Sequence, residues 1–425
     1  MTHFQKLAPI LAAALLLISC APEPPLARDS KDATQLRPIL DLDRYKQTPI
    51  GRPAGHQPWV AHLNEVDLDN DGLLDLIVCE AKDDTVSWLR QTAPGKFEEK
   101  LLADDMRAPV RSEPVDLDKD GDLDILVSSM SIIFPNNDRI GALYVLENDG
   151  SQIFRKRIIL EKVDRVSDAR AADFDNDGRL DIAIGQFGYD QGQVQWLRQT
   201  APWKFAATSL LRLSGCINVC VADYNSDGSP DIAAQISQQW EEIHLFENDG
   251  QGNFTGRVLW GSTNEDFANS GMRASDLDQD GDPDLLFANG DGFGPTPVPG
   301  PRPWHGVQWL KNDGKGNFSY HHIGHLAGAY APLPNDMDGD GDLDVIALSA
   351  FNNWRDPQAE SFVWYQNNGD ESFTKHVLAH QPTHLLTVAL GDFDGSGRDS
   401  LITGAFHAYP PYDKMTRLIL WTPSP

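Results

Sequence analysis

Cysteine is scarce in this chain of 425 residues, with four in all. Cys216 and Cys220 fall four apart along one apparent strand, about 13 Å at about 3.3 Å per residue, too far to bridge each other. Cys79 belongs to a distant segment, so all three read as buried thiols, and no spacing suited to a redox pair or a thiolate metal site occurs. Positive charge is also short: 35 Lys and Arg stand against 63 Asp and Glu, a formal charge of −28. That balance disfavours nucleic acid and anionic lipid as partners. The apolar run from Leu7 to Ile18 is too short and one-sided for a membrane span. Nothing indicates a nucleotide, haem or flavin site.

What the chain has in quantity is ordered acid. The stretch Asp276-Leu-Asp278-Gln-Asp280-Gly281-Asp282-Pro-Asp284 reads Asp-x-Asp-x-Asp-Gly-x-x-Asp, and copies begin at Asp67, Asp116, Asp173, Asp223, Asp276, Asp336 and Asp392. Their spacings of 49, 57, 50, 53, 60 and 56 residues define a seven-fold internal repeat. Two unit charges about 4 Å apart repel by roughly 1 kcal/mol even in bulk water, so four carboxylates on one turn need a cation. All-oxygen ligands in a flexible loop suit Ca²⁺ better than Mg²⁺. Side chains at the first, third, fifth and ninth positions are the expected ligands, with the backbone carbonyl of the seventh. The sixth-position glycine permits the left-handed turn.

Five loops are intact: Asp67/Asp69/Asp71/Asp75, Asp116/Asp118/Asp120/Asp124, Asp173/Asp175/Asp177/Asp181, Asp276/Asp278/Asp280/Asp284 and Asp336/Asp338/Asp340/Asp344. The fourth, Asp223/Asn225/Asp227/Asp231, exchanges one carboxylate for an amide and is expected to bind still. In the seventh, Asp392 and Asp394 lead into Ser396, and Ser400 takes the ninth place while Asp399 sits one residue early, so a weak or empty site is expected. About six Ca²⁺ ions follow. EF-hands do not fit: their twelfth position needs an acid, where this chain has Val78, Val127 and Ile184, and the flanks are strand-forming runs.

Each repeat has one grammar. A strand precedes the acidic loop and a second follows it. A third carries Val-x-Trp-Leu, and a fourth begins with Phe. The last two are joined by Asn148-Asp-Gly150, Asn248-Asp-Gly250, Asn312-Asp-Gly314 or Asn367-Asn-Gly369, strong hairpin signals. Four antiparallel strands in about 50 residues make one propeller blade, and seven close a ring. The fold class is therefore all-β, a seven-bladed β-propeller. The seventh repeat supplies strands at 385–390, 401–403 and 417–421 and lacks a fourth, so the N-terminal run 36–40 (Leu-Arg-Pro-Ile-Leu) is expected to complete the last blade.

These motifs, with Trp309-Leu-Lys-Asn312-Asp-Gly-Lys-Gly316-Asn-Phe318 the fullest example, resemble the FG-GAP or VCBS repeat family, the propeller type also seen in the integrin α-chain head. The resemblance spans 36–425. Repeats one and three depart from it, with Gln91-Thr-Ala-Pro94 and Gln199-Thr-Ala-Pro202 in place of the Asn-Asp-Gly turn.

The aligned Trp88, Trp196, Trp309, Trp364 and Trp421, and the aligned Phe97, Phe154, Phe205, Phe254, Phe318 and Phe373, fit core packing. Function is sought in the uneven loops opposite the acidic rim: 129–141 with Phe134, 185–192 with Phe187 and Tyr189, 289–306 with Phe293, Trp304 and His305, 350–361 with Trp354 and Arg355, and 405–415 with His407, Tyr409 and Tyr412. Such aromatics can stack on sugar rings or fold over one another. On the innermost strands, Arg111, Arg170 and Arg273, with His62, Glu113 and Asp168, should line the funnel, where guanidinium groups suit the carboxylate of a uronic sugar or pair internally.

At the N-terminus, residues 1–19 read as a secretory signal, and Leu17-Ile-Ser-Cys20 resembles the bacterial lipobox, which implies lipidation of Cys20 and a flexible tether over 20–35. Loss of Lys6 with the signal takes the charge to about −29, and six Ca²⁺ ions to about −17. The expected protein is a periplasmic or cell-surface lipoprotein, a monomer whose propeller binds a glycan or a surface protein without catalysis. The alternative, implied by lyases built on similar repeats, is a polysaccharide lyase drawing on Arg111, Arg170, Arg273, His62, His384, His407, Tyr330 and Tyr409, though no spacing fixes their geometry.

Overall fold

The computed structural model describes residues 45–293 and 301–423; the signal segment, Cys20, the tether and the run 36–40 lie outside them. The described chain forms seven four-stranded antiparallel sheets, each following sequence order from the inside outward except the last. The innermost strands are Val60–Val66, Pro109–Val115, Arg165–Ala172, Cys216–Ala222, Asn269–Ser275, Ala329–Asn335 and Leu385–Gly391. Each packs beside those of its two neighbours, and the first meets the seventh, so the ring is closed. No helix occurs among the described residues.

Second strands are buried on both faces, as in Asp75–Glu80 and Asp284–Asn289, because each is sandwiched between adjacent blades. Outermost strands such as Lys96–Ala103 instead alternate between exposed and half-buried residues. The apolar side chains gather into a separate cluster at each seam. Leu68, Ile77 and Trp88 of blade one meet Ile125, Val127 and Leu146 of blade two, and the same arrangement recurs around the ring. The aligned tryptophans all lie in these seams, each under a tenth exposed, and Trp196 Nε1 donates to Asp181 Oδ2 at 2.9 Å. Cys79, Cys216 and Cys220 are buried free thiols, and burial pushes each above the usual thiol range.

The last blade is completed from the N-terminal side, but by Tyr45–Pro49, which pairs antiparallel with Leu418–Pro423 (Tyr45 opposite Pro423, Pro49 opposite Ile419). The apolar pattern of 36–40 is no guide to this strand, because an outermost strand buries little. Here only Tyr45 reaches a blade seam, and Pro49 occupies the strand end, where a missing amide is tolerated. The chain then enters the core at Ile50. An ion-pair network crosses the same seam: Arg417 Nε donates to Glu80 Oε2 at 2.7 Å, and its Nη1 and Nη2 donate to the two oxygens of Glu99 at 3.0 and 2.7 Å.

Candidate metal loops and the central channel

Connections from first to second strand all emerge at one end of the ring, and there the acidic loops lie. In each, the first aspartate folds the loop on itself. Asp67 accepts from Asp71 N through Oδ1 at 3.0 Å and from Gly72 N through Oδ2 at 2.9 Å. Gly72 has φ +84° and Gly121 +101°, which explains the glycine. The fifth aspartate turns the next peptide inward, with Leu73 N donating to Asp71 Oδ1 at 3.0 Å.

The ninth aspartate does more than face the loop. Asp75 Oδ1 accepts from Gln91 N on the third strand at 2.7 Å, and Oδ2 from Leu68 N in the loop at 3.2 Å. Asp124, Asp231, Asp284 and Asp344 repeat both bonds. Burial lifts Asp75, Asp181, Asp231 and Asp344 to about 6, and Asp124 and Asp284 to about 7. In the seventh loop, Ser400 keeps the structural half of the role: its Oγ accepts from Phe393 N at 3.2 Å and donates to Gly391 O at 3.0 Å.

The third aspartate carries the signature of a ligand. Asp69, Asp118, Asp175 and Asp278 each have a buried Oδ1 with no hydrogen-bond donor, as does Asp276. Ligand atoms of Asp67/Asp69/Asp71, Asp116/Asp118/Asp120, Asp173/Asp175/Asp177, Asp276/Asp278/Asp284 and Asp336/Asp338/Asp344 lie within 4.8 Å of one another in each group. Asp280 and Asp340 complete their loops by accepting from Asp282 N and Asp342 N. Converging carboxylate oxygens with unfilled lone pairs fit a hard divalent cation. The fourth loop differs: Asn225 Nδ2 donates to Asp227 Oδ2 at 3.0 Å, so an amide satisfies part of the acid, beside Asp223 and Asp231. Three loops also carry a basic neighbour from the third strand. Arg90 pairs with Asp69 and Asp71, Arg198 with Asp175 and Asp177, and Lys311 with Asp278.

At the other end, the uneven loops fold over one another. Phe134 of blade two reaches Trp59 (5.7 Å between ring centroids), Phe293 (6.3 Å) and Tyr409 (6.3 Å), and Phe293 meets Phe351 at 4.7 Å and Phe406 at 5.5 Å. Arg165, almost fully buried, anchors this cluster by donating to the carbonyls of Ile132, Ile133, Phe134 and Phe187. Neither Trp59 nor Arg165 stands out in the sequence. Trp59 lies before the first repeat strand, and Arg165 resembles any strand-edge cation.

The other rim residues are dispersed. Trp304 Nε1 donates to Asp266 O at 2.7 Å, and buried His305 accepts from Gly328 N through Nδ1 at 3.1 Å. His407 accepts from Thr416 N through Nε2 at 3.3 Å and lies tilted beside His384 (4.6 Å between ring centroids), against which Trp354 packs. Burial pushes His305 and His407 down to about 4 and His384 to about 3. Tyr330 donates its hydroxyl to Asp291 Oδ1 at 3.1 Å.

Inside the ring, the structure brings Arg111, Arg170, Arg273 and His62 together. Arg111 and Arg170 both approach Asp168 Oδ1, at 3.2 and 3.4 Å. The Arg273 guanidinium forms no hydrogen bond or ion pair among the described residues, although the charge of Glu65 acts on it. Burial and the three guanidinium charges hold His62 well below the usual imidazole range. Burial lifts Glu113, whose Oε2 accepts from Ala171 N at 2.9 Å, to about 7.

Fold and loops together define a seven-bladed propeller with an acidic, cation-suited loop in most blades. Residues 67–127, 130–184 and 336–403 match the FG-GAP-like repeat family, so three stretches of the seven-bladed ring carry FG-GAP-like repeats. Among curated proteins none matches. Similar solved structures include BBS1N in complex with ARL6DN, from a mercury-soaked crystal (TM-score 0.52) and a lead-soaked one (0.54), each 11% identical and covering 89% of this chain and 96% of the other. At that identity the likeness is one of fold.

Proposed function

We propose that this protein is a non-catalytic binding module: a calcium-stabilised propeller, held at a bacterial membrane through Cys20, that presents its uneven rim to a protein or glycan at the cell surface. Calcium is the ion that the unfilled, converging aspartate oxygens suit, with Asp67, Asp69 and Asp71 and their counterparts as ligands. The single observation that carries the binding role is the contrast between the two ends of the ring. One end repeats the same loop, whereas the other differs from blade to blade in length and side chain, as recognition surfaces do. The complex formed by BBS1N, a propeller of this fold, with ARL6DN supports a protein partner.

Crosslinking on intact cells, with residues such as Tyr189 and Tyr412 replaced by photoreactive analogues, tests the reading. Both are exposed on the uneven rim. Capture of one defined partner from the rim, but not from probes placed on the outermost strands, is the expected result. Labelling that is equal from the rim and from the outermost strands, or release of unsaturated product from uronic-acid polymers by the purified protein, overturns it.

A further inference from the structure

The channel holds two chambers that meet at a cationic belt. The one beneath the uneven rim has a volume of about 370 Å³ and is walled by Met130, Ile133, Phe187, Phe293 and Phe406. The one towards the acidic loops, about 340 Å³, is lined by polar groups including Asn64, Glu113 and Arg170. His62, Arg111 and Arg273 line both. The belt is lopsided, because the equivalent places on blades six and seven hold Ala331, Leu333, Thr387 and Ala389.

Charge at the belt is matched unevenly: Glu113 acts on Arg170 and Glu65 on Arg273, but neither acid forms an ion pair with them. Arg111 and Arg170 share Asp168, while Arg273 has no ion pair among the described residues and remains open to the channel. Three acids at the chamber mouth are already engaged, Asp266 by Arg302 at 2.9 Å, Asp291 by Tyr330 and Glu241 by Asn269 N at 3.0 Å, while Glu265 is exposed to solvent. A guanidinium that is open to the channel and makes no ion pair has its planar fork free for a carboxylate. The apolar chamber beside it asks for a body that leaves water.

We propose that the channel binds a small amphipathic monocarboxylate, its head on Arg273 and Arg111 and its apolar body in the chamber walled by Ile133, Phe187 and Phe406. The chamber shares Phe187, Tyr189, Phe293 and Phe406 with the rim loops, but its test reads carboxylate binding and not partner capture, so its failure would leave that reading standing. The test is calorimetric titration of the calcium-loaded protein with phenylpropanoate, neutral phenylpropanamide and glucuronate, each at up to millimolar concentration.

Phenylpropanoate is expected to bind one to one, with the amide and glucuronate each weaker by about tenfold or more. Arg273→Gln should lose a similar factor at an unchanged melting temperature, since no ion pair is broken, and Arg273→Lys should retain most of the affinity. No binding of phenylpropanoate, equal binding of its amide, or full affinity in Arg273→Gln overturns the proposal. Tighter binding of glucuronate overturns the apolar half of it and points to sugar acids.

Discussion

The two ends of this ring are built on opposite economies. At the acidic end the backbone is held by carboxylates that leave oxygens over, an arrangement suited to a divalent cation. At the uneven end the loops satisfy themselves, with aromatic rings against rings and the Arg165 guanidinium against four carbonyls. Groups that suit an outside ligand are thus separated from surface that is free to vary.

The comparison breaks most visibly on chelation. Removing calcium should lower the melting temperature by many degrees, reversibly, since each site filled at a hundredfold excess over Kd contributes about 2.7 kcal/mol; an unchanged melt in EDTA would refute the cation requirement. Next in size is Arg417→Ala at the closing seam, which leaves buried Glu80 with only Trp59 N and the more distant Arg52 and should cost about 3 kcal/mol in calcium and in EDTA alike, read by denaturant unfolding.

Asp124→Ala should follow at about 2–3 kcal/mol, and part of that loss should persist in EDTA, because two backbone donors lose their acceptor whether or not an ion is bound. Asp71→Ala sharpens the contrast: its penalty should shrink to about 1 kcal/mol or less in EDTA, since without an ion it fixes one loop peptide and holds a partly exposed ion pair with Arg90. Smallest is Asp394→Ala in the seventh loop, expected within about 0.5 kcal/mol by the same melts.

Repeat number, strand order and the acidic loops were readable from the chain because each is written seven times, and a periodic signal survives local exceptions. The double duty of the ninth aspartate was not readable, since sequence shows a carboxylate and not which amides face it. Gln91 is a second case. Where the Asn-Asp-Gly turn is missing, its side chain still donates to Phe393 O on the preceding blade at 3.1 Å, as Asn248 and Asn312 do to Phe174 O and Tyr224 O. The longer amide preserves a bond between blades that the turn motif disguises as a hairpin preference. Closure by Tyr45–Pro49 escaped for want of apolar content. The pairing of Arg111 and Arg170, but not Arg273, depends on which blade supplies Asp168, a matter of register that spacing alone leaves open.

Strand Tyr45–Pro49 leaves the ribosome hundreds of residues before its mate Leu418–Pro423. During synthesis it has nothing to pair with, and six blades can assemble while this segment waits as a loose end. The hoop therefore snaps shut only after translation reaches the final sheet, and a chaperone or translocation channel that holds the early segment would set the moment of maturation.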